Sequence, residues 1–175
     1  MYAVYSYVSW RIAKKISKTR ITPNQITSFS LVIGILTAVL FSLGEYLYSI
    51  IGVLALHVSF LFDCVDGRLA KIKSMASDYG QWLDDISDKI IDFLVIFSIV
   101  FALYNQTKIV EIWIVGLIAI SFNFLIQLAN FTTDIVMGSD RNKTVKALNK
   151  MGFLRNFAYT SLNLYVLLSL GIVLN

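Results

Sequence analysis

The sequence predicts an all-α integral membrane protein: a bundle of five transmembrane helices preceded by an amphipathic helix lying in the membrane interface. Three observations carry that expectation. The 175-residue chain is 57% hydrophobic and 15% charged, with a mean hydropathy of +0.72, whereas a soluble domain carries about 25% charged residues. So little charge does not cover a water-facing surface. Five apolar stretches approach the roughly 20 residues that a membrane-spanning helix needs. Lysine and arginine gather in alternate connections, which is how a bundle is oriented in a bilayer.

The elements follow in order. Residues 1–20 set Tyr2, Tyr5, Val8, Ile12 and Ile16 on one side of a helix, with Arg11, Lys14, Lys15 and Lys18 beside them. That pattern lies in an interface and does not cross it. Met1 is not followed by the features of a cleaved signal peptide. Spans are expected at about 25–43, 46–62, 86–103, 109–131 and 153–174. Arg11, Lys14, Lys15, Lys18 and Arg20 precede the first, Lys71 and Lys73 follow the second, and Arg141, Lys143, Lys146, Lys150 and Arg155 follow the fourth. The other two connections hold Glu45 and Lys108, so the basic connections are expected to face the cytoplasm. The whole chain, 1–175, reads as one membrane domain, with 21–175 forming the bundle. A single cysteine, Cys64, excludes an internal disulfide and a cysteine zinc cluster. The net charge of +4 fits an anionic leaflet or anionic substrates; nucleic acid is not an expected partner.

Chemistry concentrates between the second and third spans. Seven of the eleven acidic residues fall there: Asp63, Asp66, Asp78, Asp84, Asp85, Asp88 and Asp92. Charge at a bilayer is costly and marks a functional site. Asp63 and Asp66 share one helix face, and Asp84 and Asp88 share another. The two helices are expected to be antiparallel neighbours that bring both pairs to one depth. Four carboxylates meeting without cations would repel and take up protons. Arg68, Lys71 and Lys89 could offset part of the charge, but oxygen-only ligands suit hard divalent ions such as Mg2+ or Mn2+. Two such ions about 4 Å apart are a recurrent device for displacement at phosphorus. Gly67 removes a Cβ beside Asp66 and lets a bulky group approach the backbone.

The run Asp63-Cys-Val-Asp66-Gly67-Arg-Leu-Ala70-Lys71, then Gly80-x3-Asp84-x3-Asp88, resembles the motif D-x2-D-G-x2-A-R-x8-G-x3-D-x3-D of the CDP-alcohol phosphotransferases. Every gap agrees, and only Lys71 departs, standing where the family has arginine. The Thr22-Pro23-Asn24-Gln25-Ile26-Thr27 segment is similar to that family's T-P-N-x-[IL]-T lead-in to its first span. The family typically has six spans, against five here. The resemblance implies transfer of a substituted phosphate from a CDP-alcohol to a hydroxyl, with release of CMP. It implies two Mg2+ or Mn2+ ions, with Asp63 and Asp84 bridging both, Asp66 on the first and Asp88 on the second. Asp88 would also act as general base. Thr22, Pro23, Asn24, Gln25, Gly67, Lys71 and Ser77 would hold the CDP donor, and the protein would be a homodimer in a prokaryotic cell membrane. Lys71 keeps the charge but loses the bidentate fork of an arginine.

Asn123, Gln127, Asn130 and Asp134 form a polar stripe on the fourth span. It is expected either to bond neighbouring helices or to line a chamber for a small polar acceptor, with Asn130 and Asp134 placed to contact it. Arg141 and Arg155 could bind an acceptor phosphate, such as that of inositol phosphate or glycerol phosphate, or could simply set topology. The donor is expected to be CDP-diacylglycerol or its archaeal counterpart CDP-archaeol, with a polar CDP-alcohol such as CDP-inositol as the alternative. His57 is expected to be a hydrogen-bonded structural histidine. Two other classes compete. Asp84-Asp85-Ile-Ser-Asp88 also reads as the DDxxD of a membrane prenyltransferase, and the aspartates could line a cation carrier.

Overall fold

The computed structural model describes residues 2–137 of the chain. Those residues form five helices: α1 (Tyr2–Ile16), α2 (Pro23–Ser42), α3 (Tyr46–Lys73), α4 (Asp78–Thr107) and α5 (Glu111–Met137). The fifth expected span, 153–174, lies outside the described residues, as do Arg141 and Arg155. The all-helical expectation holds among those described. By length and composition α2, α3 and the first part of α5 could each cross a membrane. The N-terminal half of α4 carries Asp84, Asp85, Asp88, Lys89 and Asp92, so its apolar stretch is confined to the C-terminal half.

Helix boundaries follow local chemistry. Pro23 starts α2, where its missing N–H costs nothing. The Thr22 side chain accepts from Gln25 N–H, and the Gln25 side chain accepts from Thr22 N–H, a reciprocal cap. Gly44, at φ +69°, turns the chain sharply between α2 and α3, a backbone state that costs glycine little. The Gln106 side chain donates to its carbonyl. Ser77 caps α4 by accepting from Gly80 N–H at 3.1 Å.

The core is α2. It packs against both α3 and α4, while α1 packs against α3. Small residues permit this approach. Ser30 donates to the Ser59 carbonyl and Ser59 to the Ser30 carbonyl, each at 2.9 Å, a reciprocal clasp between α2 and α3. Gly34 faces Ile91 of α4 so closely that a Cβ there would stand 2.5 Å from the Ile91 Cγ1. Two expectations are corrected by this arrangement. First, α3 and α4 have little direct backbone contact of their own; α2 lies against both and joins them. Second, the span expected at 46–62 is only the first part of α3, which runs well past Asp66 to Lys73. Its last turns stay helical because Val65 and Leu69, both fully buried, pack with Ala13 of α1 and Ile26 of α2. Protein covers that end, so it need not rely on lipid. Asp63 and Asp66 therefore sit within a helix, not at its end.

The first helix matches the interfacial pattern. Ser9 and Ala13 are buried, while Trp10, Arg11, Lys14 and Lys15 are exposed. Tyr5 Oη is 2.9 Å from His57 Nδ1, so the lone histidine has a polar partner on α1. Helix α5 belongs to a second compact unit and is described by itself: its Gln127 donates to Asn123 Oδ1 at 2.6 Å.

The Gly34 contact makes a test. Gly34→Ala should destabilise the protein by about 1–3 kcal/mol through overpacking, read as a lower thermal midpoint in detergent. Combined with Ile91→Ala, the cost should be smaller than the two single costs added, because the new methyl enters space that Ile91 vacates. Strict additivity would show that the two side chains do not meet.

Candidate active site

Helices α3 and α4 each lean on α2, and their carboxylates reach toward one another across the space between them. Asp63 and Asp66 come from α3, Asp84 from α4, and one carboxylate oxygen of each lies within 4.8 Å of the others. Asp88 sits one turn beyond Asp84, and the carboxyl groups of Asp84 and Asp88 both lie within hydrogen-bonding reach of Asp63. The four aspartates singled out by spacing thus face one another. Their surroundings differ: Asp66 is buried, Asp63 and Asp84 are half-buried, and Asp88 is exposed.

The buried member is pinned from below. Thr27 Oγ1 donates to Asp66 Oδ2 at 2.5 Å and also contacts the Pro23 carbonyl at 3.3 Å. Thr27 closes the T-P-N-Q-I-T segment, and its role as the partner of Asp66 is visible only in the fold. The available signal of some role was its position one turn after Pro23 on the buried face of α2. Two of the three cations expected to balance the aspartates bond backbone carbonyls instead: Arg68 donates to the Cys64 carbonyl at 2.6 Å, and Lys89 to the Asp85 carbonyl at 2.9 Å. Asp84 Oδ1 is buried without a hydrogen-bond partner. A buried carboxylate oxygen in that state is expensive, and a cation among all-oxygen ligands is what would satisfy it. The donor set fits a hard divalent ion.

The residues assigned to the donor lie around the same end of unit α1–α4. Thr22 and Gln25 cap α2, with Pro23 buried between them. Asn24 approaches the start of α4: a Cβ on Gly80 would stand 3.0 Å from Asn24 Oδ1 and 3.2 Å from Ser77 Oγ. Glycine at that position is therefore what allows the N-termini of α2 and α4 to lie side by side. On α3, Gly67 has open space where a Cβ would be, and Lys71 is exposed one turn beyond it. Of the acceptor residues, Asn130 and Asp134 fall on α5, which is described by itself; Arg141 and Arg155 lie outside the described residues.

The family model for CDP-alcohol phosphatidyltransferases matches residues 20–174. The chain belongs to the CDP-alcohol phosphatidyltransferase family. Among characterised CDP-alcohol phosphatidyltransferase relatives, the archaetidylinositol phosphate synthase of Pyrococcus horikoshii is 30% identical over 114 residues, covering 65% of this chain and 58% of that protein. The fold is similar to that of Mycobacterium tuberculosis phosphatidylinositol phosphate synthase (PgsA1) with CDP-DAG bound. That match has a TM-score of 0.65 and 21% identity, over 74% of this chain and 64% of that one. The same protein in complex with manganese and citrate gives a TM-score of 0.61 and 21% identity, over 73% of this chain and 60% of that one. At such identity the likeness is one of fold. The chain spans less than two thirds of the length of the curated relatives it matches.

An ion that binds the folded carboxylate cluster must stabilise it. Thermal unfolding in detergent should shift upward when Mn2+ replaces chelator, by about 2.7 kcal/mol of added stability at a hundredfold excess over the dissociation constant. The increment should vanish in Asp63→Asn with Asp84→Asn. An equal increment in that double variant would place the ion elsewhere.

Proposed function

We propose that this protein transfers a substituted phosphate from a membrane-borne CDP-alcohol, CDP-diacylglycerol or CDP-archaeol, to the hydroxyl of a small polar acceptor, releasing CMP. The observation that carries this reading is the meeting of Asp63, Asp66 and Asp84 within 4.8 Å, beside the paired N-termini of α2 and α4. Asp63, Asp66, Asp84 and Asp88 would hold two divalent ions, Mg2+ or Mn2+. Bound there, such ions supply charge neutralisation for the donor pyrophosphate and the departing CMP.

The chain's own residues do the rest. The positive dipole ends of the two helix starts favour anions, and residues 22–25 with Ser77 lie at those starts. Gly67 leaves α3 bare for the cytidine end of the donor, and Lys71 offers a positive charge to its phosphates. Asp88, one turn beyond Asp84 on α4, accepts the acceptor's hydroxyl proton. The oxygen so freed forms a bond to the β-phosphorus, the bond from that phosphorus to the CMP oxygen breaks, and CMP leaves. An inositol phosphate acceptor is favoured over glycerol phosphate because the Pyrococcus horikoshii relative is an archaetidylinositol phosphate synthase. Asn130, Asp134, Arg141 and Arg155 are assigned to the acceptor on their sequence pattern. The site would face the cytoplasm of a prokaryotic cell, a reading that rests on the exposed basic residues of α1 and the tendency of such residues to stay on the cytoplasmic side. The family match over residues 20–174 supports one membrane domain, which would work as a homodimer.

Purified protein incubated with Mg2+, CDP-diacylglycerol or CDP-archaeol and a panel of alcohols should release CMP and form the substituted lipid. Asp88→Asn should lower kcat by about a hundredfold to ten-thousandfold, the span for a missing general base. Release from CDP-inositol with silent lipid donors would move the donor to the polar alternative. Diphosphate in place of CMP would indicate prenyl transfer, and cation flux without CMP release would indicate a carrier.

A further inference from the structure

Lys73 ends α3, where a lysine normally stays in water or faces lipid headgroups. Here it turns back instead. Its Nζ donates to the carbonyls of Thr19 and Ile21, both at 2.7 Å, across 54 and 52 residues of chain. These acceptors flank Arg20 in the connection from α1 to α2. That connection is otherwise held by short-range bonds: Thr19 N–H to the Ile16 carbonyl at 2.8 Å, and Ile21 N–H to Thr19 Oγ1 at 3.3 Å. Two charge-assisted bonds from a helix end give it an outside anchor.

The anchor has a direction. Ile21 is followed at once by Thr22, the cap of α2. Asn24, two residues further, meets the start of α4 at Gly80 and Ser77. Fixing the carbonyls on either side of Arg20 therefore fixes how the N-terminus of α2 is set against that of α4. We propose that Lys73 is a positioning residue for the CDP donor, clasping the Thr19 and Ile21 carbonyls so that residues 22–25 are held in register with α4. This rests on the reading of residues 22–25 as donor-holding. Lys73 lies about two turns beyond Asp66 on α3, and its Nζ bonds the Thr19 and Ile21 carbonyls, so it acts through the connection and not through the carboxylates.

A helix-end lysine with a merely structural role would alter stability and leave the kinetic constants in proportion. Lys73→Ala should raise KM for the CDP donor about tenfold while kcat stays within about twofold, the scale of one lost charge-assisted hydrogen bond. The upward thermal shift given by Mn2+ should be unchanged, and trypsin should cleave after Lys18 and Arg20 faster than in the wild type. Lys73→Arg, which keeps a cation with several donors, should restore most of the donor KM, and Lys73→Gln should fall between the two. An unchanged KM in Lys73→Ala, a fall in kcat alone, or no rescue by arginine overturns the proposal. If the wild-type protein releases no CMP from any CDP-alcohol, the functional reading fails and this role with it. An active wild type that Lys73→Ala matches in KM removes the role of Lys73 alone.

Discussion

Three carboxylate oxygens within 4.8 Å of one another repel, by roughly 4 kcal/mol for each charged pair at 4 Å and an effective dielectric of about 20. The fold holds them together against that force. Two helices that scarcely touch each other contribute the aspartates, and a third helix, α2, fixes the separation. If α3 and α4 packed tightly, the carboxylates would have no room for anything between them. If α2 were bulkier, they would not meet.

The composition of α2 follows from that duty. Between Ile26 and Phe41 its buried face is Thr27, Ser30, Gly34, Thr37 and Ala38, small residues that bring α3 and α4 close on either side. The hydroxyls are also used. Ser30 exchanges hydrogen bonds with Ser59, and Thr27 bonds the one buried aspartate. A small apolar residue could fill the same space but would leave Asp66 unheld. Packing and site chemistry thus share one helix face, and the caps at its start leave the proposed donor-holding residues 22–25 one turn from the Thr27 that bonds Asp66.

Much of this was legible in the sequence because helical spacing is rigid. Asp63 with Asp66, and Asp84 with Asp88, could face the same way only if both segments were helical, and both are. The apolar pattern located α2 and α5 to within a few residues at the ends that the structure describes. The C-terminal turns of α3 were missed because hydropathy stops at the first charge, whereas the helix continues as long as Leu69 and Ile72 find a surface. The surface is α1, and tertiary contact of that kind leaves no local signal. The role of α2 between its neighbours was hidden for a similar reason: short connections suggested that α3 and α4 would pair directly. Lys73 looked like one more topology-setting cation, since nothing in its own neighbourhood names the carbonyls of Thr19 and Ile21.

The central claim is that these aspartates bind divalent ions between α3 and α4. Anomalous diffraction at the manganese edge, from crystals grown with Mn2+ and a CDP-alcohol, tests it most directly. The account predicts two peaks, each touching carboxylates of both helices, with the donor phosphates against them. Peaks absent from that space, in crystals where the donor is bound, would contradict it.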